Sequence, residues 1–102
     1  MDAAVVCLCG SMRFFDDMLA VASEETAAGR IVLAPFTVVA PDDQGSALKS
    51  ALDSLHRAKI DLADEIIVVT RDGYIGESTR GEIAYAQETS KAVRYVDLVG
   101  VQ

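Results

Sequence analysis

At 102 residues, 51% of them apolar and 25% charged, the chain can bury the modest core of one globular domain and is too short for two. A net charge of −7, with no Lys/Arg run and no interleaved aromatic stripe, disfavours binding to polymeric nucleic acid, although a small anion responds only to local charge. No apolar stretch approaches the roughly 18 to 20 residues that cross a membrane, and the opening MDAAVVCLCGS lacks a basic segment ahead of its apolar one. No membrane partner is therefore expected, and a cytoplasmic location is the default.

The first element is the strand-like run AVVCLC (4–9), apolar throughout as a strand covered on both faces should be. Its Cys7 and Cys9, at i and i+2, share a face without the geometry of a bridge. They read as two buried thiols, since two ligands with no neighbouring His/Cys cluster are too few for a metal. The strand exits through CGSMRF (9–14). Ser11 there is either a plain helix cap or, with Gly10 and Arg13, a cradle for an oxygen-rich ligand.

Phe15, Leu19 and Ala22, with Met18 alongside, recur at helical spacing until Gly29 ends the helix. The run IVLAPF (31–36) is a second strand, and after the turn-rich PDDQGS the stripe Leu48, Leu52, Leu55 and Leu62 marks a second helix. His56, the only histidine, lies beside that stripe and reads as half-buried or exposed on spacing alone. Asp61 and Asp64 end the helix against its dipole, so a local partner is expected, and Asp64 reads as structural.

The third strand is EIIVVT (65–70), and its exit is DGYIGESTRGEIAYA (72–86). Thr79-Arg80-Gly81-Glu82 fits a T-x-x-E capping box, in which Glu82 merely returns a hydrogen bond to the cap. A capping box leaves two glycines, a second hydroxyl residue and an arginine unexplained, so a chemical role for Glu82 stays open beside it. Ile83, Ala84, Ala86 and Gln87 continue a third helix to about Ser90, and AVRYVDLV (92–99) is a fourth strand.

Strand and helix alternating in this way predict a single α/β domain over residues 1–102. It is a three-layer sandwich around a parallel sheet of four, at most five, strands in the flavodoxin/Rossmann-like order 2-1-3-4. In such a sheet ligands bind beyond the carboxyl ends of the strands where the connections diverge, here between strands one and three. The two glycine-marked exits, 9–14 and 71–82, meet at that point.

Together, C-G-S-x-R-F after strand one, L-H-R-A-K-I-D-L-A-D-E before strand three and G-Y-I-G-E-S-T-R-G-E-I-A-Y-A after it resemble a known family. It is the nucleoside 2-deoxyribosyltransferase superfamily, which includes the 2′-deoxynucleoside 5′-phosphate N-hydrolases, and the likeness covers residues 4–96. The resemblance implies that Glu82 is the catalytic glutamate, and that Gly10, Ser11 and Arg13 hold the sugar or its 5′-phosphate. It also implies a homodimer or larger homo-oligomer. The chain departs from relatives that carry a tyrosine at the position of Cys7, a carboxylate at that of His56, and Gly-x-Gly-x-Glu where it has Ser78-Thr79-Arg80-Gly81-Glu82.

The implied chemistry is cleavage or transfer at the N-glycosidic bond of a nucleoside or its 5′-monophosphate. A carboxylate against C1′ meets the oxocarbenium charge and traps it as a glycosyl ester. His56 is one candidate acid for the leaving base, with water or Tyr74 as the others. Ser11, Arg13, Ser78 and Arg80 are the candidate contacts for the 5′ end, with Asp72 and Tyr74 completing the loop. Neither metal nor cofactor is required. The competing expectation is a non-catalytic nucleotide-binding or sensing module on the same fold.

Overall fold

The computed structural model describes residues 3–40, 42 and 44–99, so Pro41 and Asp43 of the expected PDDQGS turn lie outside the described residues. Four strands, β1 (Val5–Cys9), β2 (Ile31–Leu33), β3 (Glu65–Arg71) and β4 (Ala92–Leu98), form one sheet in the order β2-β1-β3-β4. Every neighbouring pair is parallel. Three α-helices connect them: α1 (Phe15–Ala27), α2 (Ala47–Leu62) and α3 (Glu77–Glu88).

β1 and β3 occupy the centre, which is why their sequences are apolar on both faces. On one face Val6, Leu8, Ile67 and Val69 pack with Met18 and Val21 of α1. On the other, Cys7, Cys9, Ile66 and Val68 pack with Ile60 of α2 and Ala86 of α3. The chain is thus a three-layer α/β sandwich.

Local chemistry sets the element ends. Gly29, at φ 93°, ends α1, and the N–H groups of Ala28, Gly29 and Arg30 return to carbonyls of the last turn. Ser46 caps α2 by accepting the Lys49 N–H at 3.2 Å. β2 stops three residues short of the expected IVLAPF, ahead of Pro35, which has no N–H to give a ladder. Asp64 is structural as expected: its Oδ2 accepts the Val5 N–H at 2.8 Å and its own N–H donates to the Val5 carbonyl.

The leucine stripe of α2 does not face the core. Leu48, Leu55 and Leu62 are 51%, 53% and 71% exposed, and the buried residues of the helix are His56 and Ile60. β2 offers only three residues at that edge of the sheet, so the outer leucines have little to cover them. His56, expected at the surface or half-buried, is instead 6% exposed.

Gly10, just past β1, lies so close to β3 that a Cβ would stand 2.6 Å from the Val69 carbonyl oxygen. A backbone oxygen cannot step aside as a side chain can. Gly10→Ala should therefore destabilise the fold by about 1–3 kcal/mol, the usual scale of overpacking, in urea denaturation. Unchanged stability would show that the strands separate freely there.

Candidate functional site

The two central strands end side by side and their chains then part. From β1 the chain makes a single 3₁₀ turn, Met12–Phe14, which Ser11 caps by accepting the Arg13 N–H at 3.3 Å. Capping uses only the Ser11 oxygen's acceptor capacity, so its O–H can still reach a ligand. The Arg13 guanidinium stacks 4.5 Å from the Tyr74 ring centroid, and Phe14 meets the same ring edge-on at 5.9 Å. An exposed cation is thereby held at the rim of the cleft.

From β3 the chain turns through Asp72 and Gly73, both at positive φ, and the Tyr74 N–H closes the turn on the Arg71 carbonyl at 3.1 Å. Gly73 N–H also donates to Asp97 Oδ1 at 2.8 Å, anchoring the turn to β4. Asp72 therefore serves the turn.

The capping box is not formed. α3 begins at Glu77 with Gly76 as its cap residue, and Thr79 is inside the helix and buried. Glu82 falls in the second turn, beyond the reach of an N-terminal cap. The free amides of the first turn of α3 and its positive dipole end face the region between the two exits.

A cleft of about 480 Å³ opens there, lined by Gly10, Ser11, Arg13, His56, Tyr74, Ser78, Thr79 and Glu82, among others. Seven of the nine residues picked out from sequence meet in it; Asp72 and Arg80 are not among those lining it. Sequence reasoning missed Gln44, Lys49 and Asp53, and a wall built from Pro35, Thr37, Val38 and Val39 after β2. Lys49 Nζ binds both Asp53 carboxylate oxygens at 2.7 Å and Ser78 Oγ at 3.2 Å, bridging α2 to α3. A single lysine in a helix gives no pattern in sequence; only the packing of α2 against α3 reveals it. The cleft continues between these helices along Arg57, Glu77 and Gly81, with Glu82 at the junction.

At the floor, side chains from three elements converge. His56 Nε2 lies 3.3 Å from Cys9 Sγ, 3.8 Å from Cys7 Sγ and 3.8 Å from Glu82 Oε1. The thiols, expected to stand without a His partner, have one. The pair ionises once: the Cys9 S–H bond to Cys7 holds the Cys7 thiol down to about 6, helped by His56, while the same bond and burial push Cys9 far up. Burial also raises Glu82 above its usual value, with His56 opposing.

Burial alone would depress the His56 imidazole. Hydrogen bonding to Cys7 and the charges of Glu82 and Cys7 outweigh it and raise the group above 6.5. The other ring nitrogen, Nδ1, is buried without a partner among the described residues. The upward shift thus comes from the neighbours of Nε2 and not from a hydrogen bond at Nδ1.

The fold and site together define a doubly wound α/β protein with a ligand cleft at its topological switch point. No protein-family model matches the chain, and no curated protein matches it. Among the described residues, no helix is long and apolar enough to cross a membrane.

The cluster carries a pH signature. Because its pKa is raised on folding, His56 contributes stability that is complete below about 6.5 and is lost as pH rises through the higher folded value. Ring-proton NMR should place the His56 midpoint above 6.5, and Glu82→Gln should lower it. A midpoint below 6.5 would mean that burial outweighs the neighbouring charges.

Proposed function

We propose that the protein cleaves or transfers at the N-glycosidic bond of a nucleoside or its 5′-monophosphate, with Glu82 as nucleophile. The observation that carries the reading is the convergence of Glu82 and His56 on the floor of a cleft whose opposite wall bears Gly10, Ser11 and Arg13. Its volume of about 480 Å³ is ample for one nucleotide, within the usual range of small-molecule sites.

In this reading Arg13, Lys49 and the α3 amides receive the 5′ end, and Tyr74 flanks it. The C1′–N bond breaks with its electron pair leaving on the base, and His56 supplies the proton that the base needs. Glu82 bonds to C1′, giving a glycosyl ester of the enzyme. Water or a second base then attacks C1′ and releases the carboxylate, so the configuration is retained. When water attacks, its proton returns to the imidazole.

A second copy of the chain belongs to the same reading. Leu48, Leu55 and Leu62 recur every seven residues along the exposed side of α2, the spacing of a helix-pairing seam. Leu55→Lys should shift the protein to monomer in sedimentation velocity. A parent that is itself monomeric at working concentration would end that part of the reading.

One specific observation favours a non-catalytic nucleotide-binding module instead: the Glu82 side chain is only 18% exposed, with His56 beside it. A panel of nucleosides and 5′-monophosphates, assayed by chromatography for free base, separates the two. The parent should release base from at least one member. Glu82→Gln should still bind it, remain folded, and lose turnover by orders of magnitude, because an amide cannot meet the oxocarbenium charge. Binding without release across the panel would make the protein a module, and a fully active Glu82→Gln would remove the glycosyl-enzyme mechanism.

A further inference from the structure

The two thiols under the cleft have no part in the chemistry proposed above, yet they stand with His56 and Glu82 in an arrangement that suits something else. Cys7 Sγ, Cys9 Sγ and His56 Nε2 all lie within 4.8 Å of one another, and all three residues are buried. Glu82 Oε1 is 3.8 Å from Nε2 on the side open to the cleft. Zinc bonds of about 2.3 Å to sulfur and 2.0–2.1 Å to nitrogen, at tetrahedral angles, put S and N about 3.5 Å apart. The two S···N distances here, 3.3 and 3.8 Å, bracket that edge.

The geometry points to a zinc site in which Cys7 Sγ, Cys9 Sγ and His56 Nε2 are ligands and the Glu82 carboxylate, which lies outside that trio, turns in from the cleft side to take the fourth position. The donor set is one that zinc favours, since two thiolates and an imidazole are too soft for magnesium or calcium. The two thiolates balance the divalent charge in the buried part of the site, and the Glu82 carboxylate adds its charge on the side open to the cleft. Lys59, whose field reaches Cys7 and His56, donates to the Ala34 carbonyl at 2.8 Å and so is directed at a neutral acceptor. Ligation needs deprotonated sulfur and an unprotonated Nε2, so any proton on these atoms leaves to solvent on binding.

The outer-shell acceptor that usually orients a zinc-bound histidine is missing, since Nδ1 has no partner among the described residues. The core on that face is otherwise apolar and packed, so folding does not depend on the ion. Both points describe an exchangeable ion rather than a structural one. Occupancy engages Glu82 and His56 together, so a zinc-loaded protein cannot use them on a sugar. This last consequence, and it alone, rests on the glycosidic reading.

Cobalt is the probe, because tetrahedral Co²⁺ is coloured and its bonds to thiolate give near-ultraviolet charge-transfer absorption. Chelator-treated protein titrated with Co²⁺ should bind one ion per chain with both signatures, and Zn²⁺ should bleach them. The Cys7→Ala/Cys9→Ala pair and His56→Gln should abolish the charge-transfer band, with circular dichroism reporting the fold. Glu82→Gln, a change in the cleft wall, should keep the thiolate band and weaken the visible bands and the affinity; it serves if the thiol variants do not fold. Absence of both signatures in the parent, or their survival without the thiols, overturns the site. Undiminished visible bands and affinity in Glu82→Gln overturn the four-ligand assignment. Base release measured in parallel keeps the two readings apart: cobalt bands without base release from the metal-free protein leave the zinc site standing and sink the glycosidic reading. Base release without cobalt bands does the reverse.

Discussion

The pairing of β1 with β3 is the constraint on which the site depends. Both strands are covered on two faces, and the chain leaving each must travel in opposite directions, from β1 through α1 towards β2 and from β3 through α3 towards β4. The exits therefore diverge and leave a gap that neither loop fills. The contact between Gly10 and the Val69 carbonyl brings the two exits so close that only backbone lies between them. Side chains from both loops then line the gap rather than occupy it. The same pairing turns Cys7 and Cys9 to the face covered by α2, where His56 waits.

Polar groups at the bottom of an apolar layer are tolerable only as a set. His56 and Thr79 are buried with the thiols, and Glu82 is mostly covered. Each ionisable member sets the charge of another: Cys7 and Glu82 keep a proton on His56, and His56 helps keep charge on Cys7 and Glu82. Removing one member leaves the others buried and unpaired, which commonly costs more than the interaction itself contributed. Substitutions here thus report on a group of residues and not on one.

The sheet order, the four strands and the three helices were legible in the sequence because β1 and β3 are continuous apolar runs and Gly29 and the loop glycines punctuate the chain. Most of the cleft was legible too, since Gly10, Ser11, Arg13, Tyr74, Ser78 and Glu82 lie on the two strand exits that the topology brings together. Three features were not. The T-x-x-E spacing suggests a cap, but the helix starts earlier, at Glu77, because the turn is already complete at Gly73. The leucines of α2 suggest a buried stripe, but a sheet edge three residues long gives them no surface, and the buried side of the helix passes through His56 instead. The thiol-imidazole cluster joins residues 47 and 49 positions apart, a distance at which no local pattern operates.

Those separations also set what folding must close. Every strand pair is parallel, so none can zip up from a tight hairpin, and each must wait for a crossover to close. The Thr70 hydroxyl and the Asp97 carboxylate that join β3 to β4 are 27 residues apart, whereas the Val5 and Asp64 groups that join β1 to β3 are 59 apart. Loop closure costs about 0.6 kcal/mol more for each doubling of length, and β3 with β4 also forms the longest ladder, of seven residues. The β3-α3-β4 crossover is thus a cheaper closure than the one that joins β1 to β3. Glu82 belongs to that shorter crossover, whereas the thiols come from β1 and His56 from α2, the elements the longer closure must bring to β3. The floor of the cleft therefore exists only where both closures have been made.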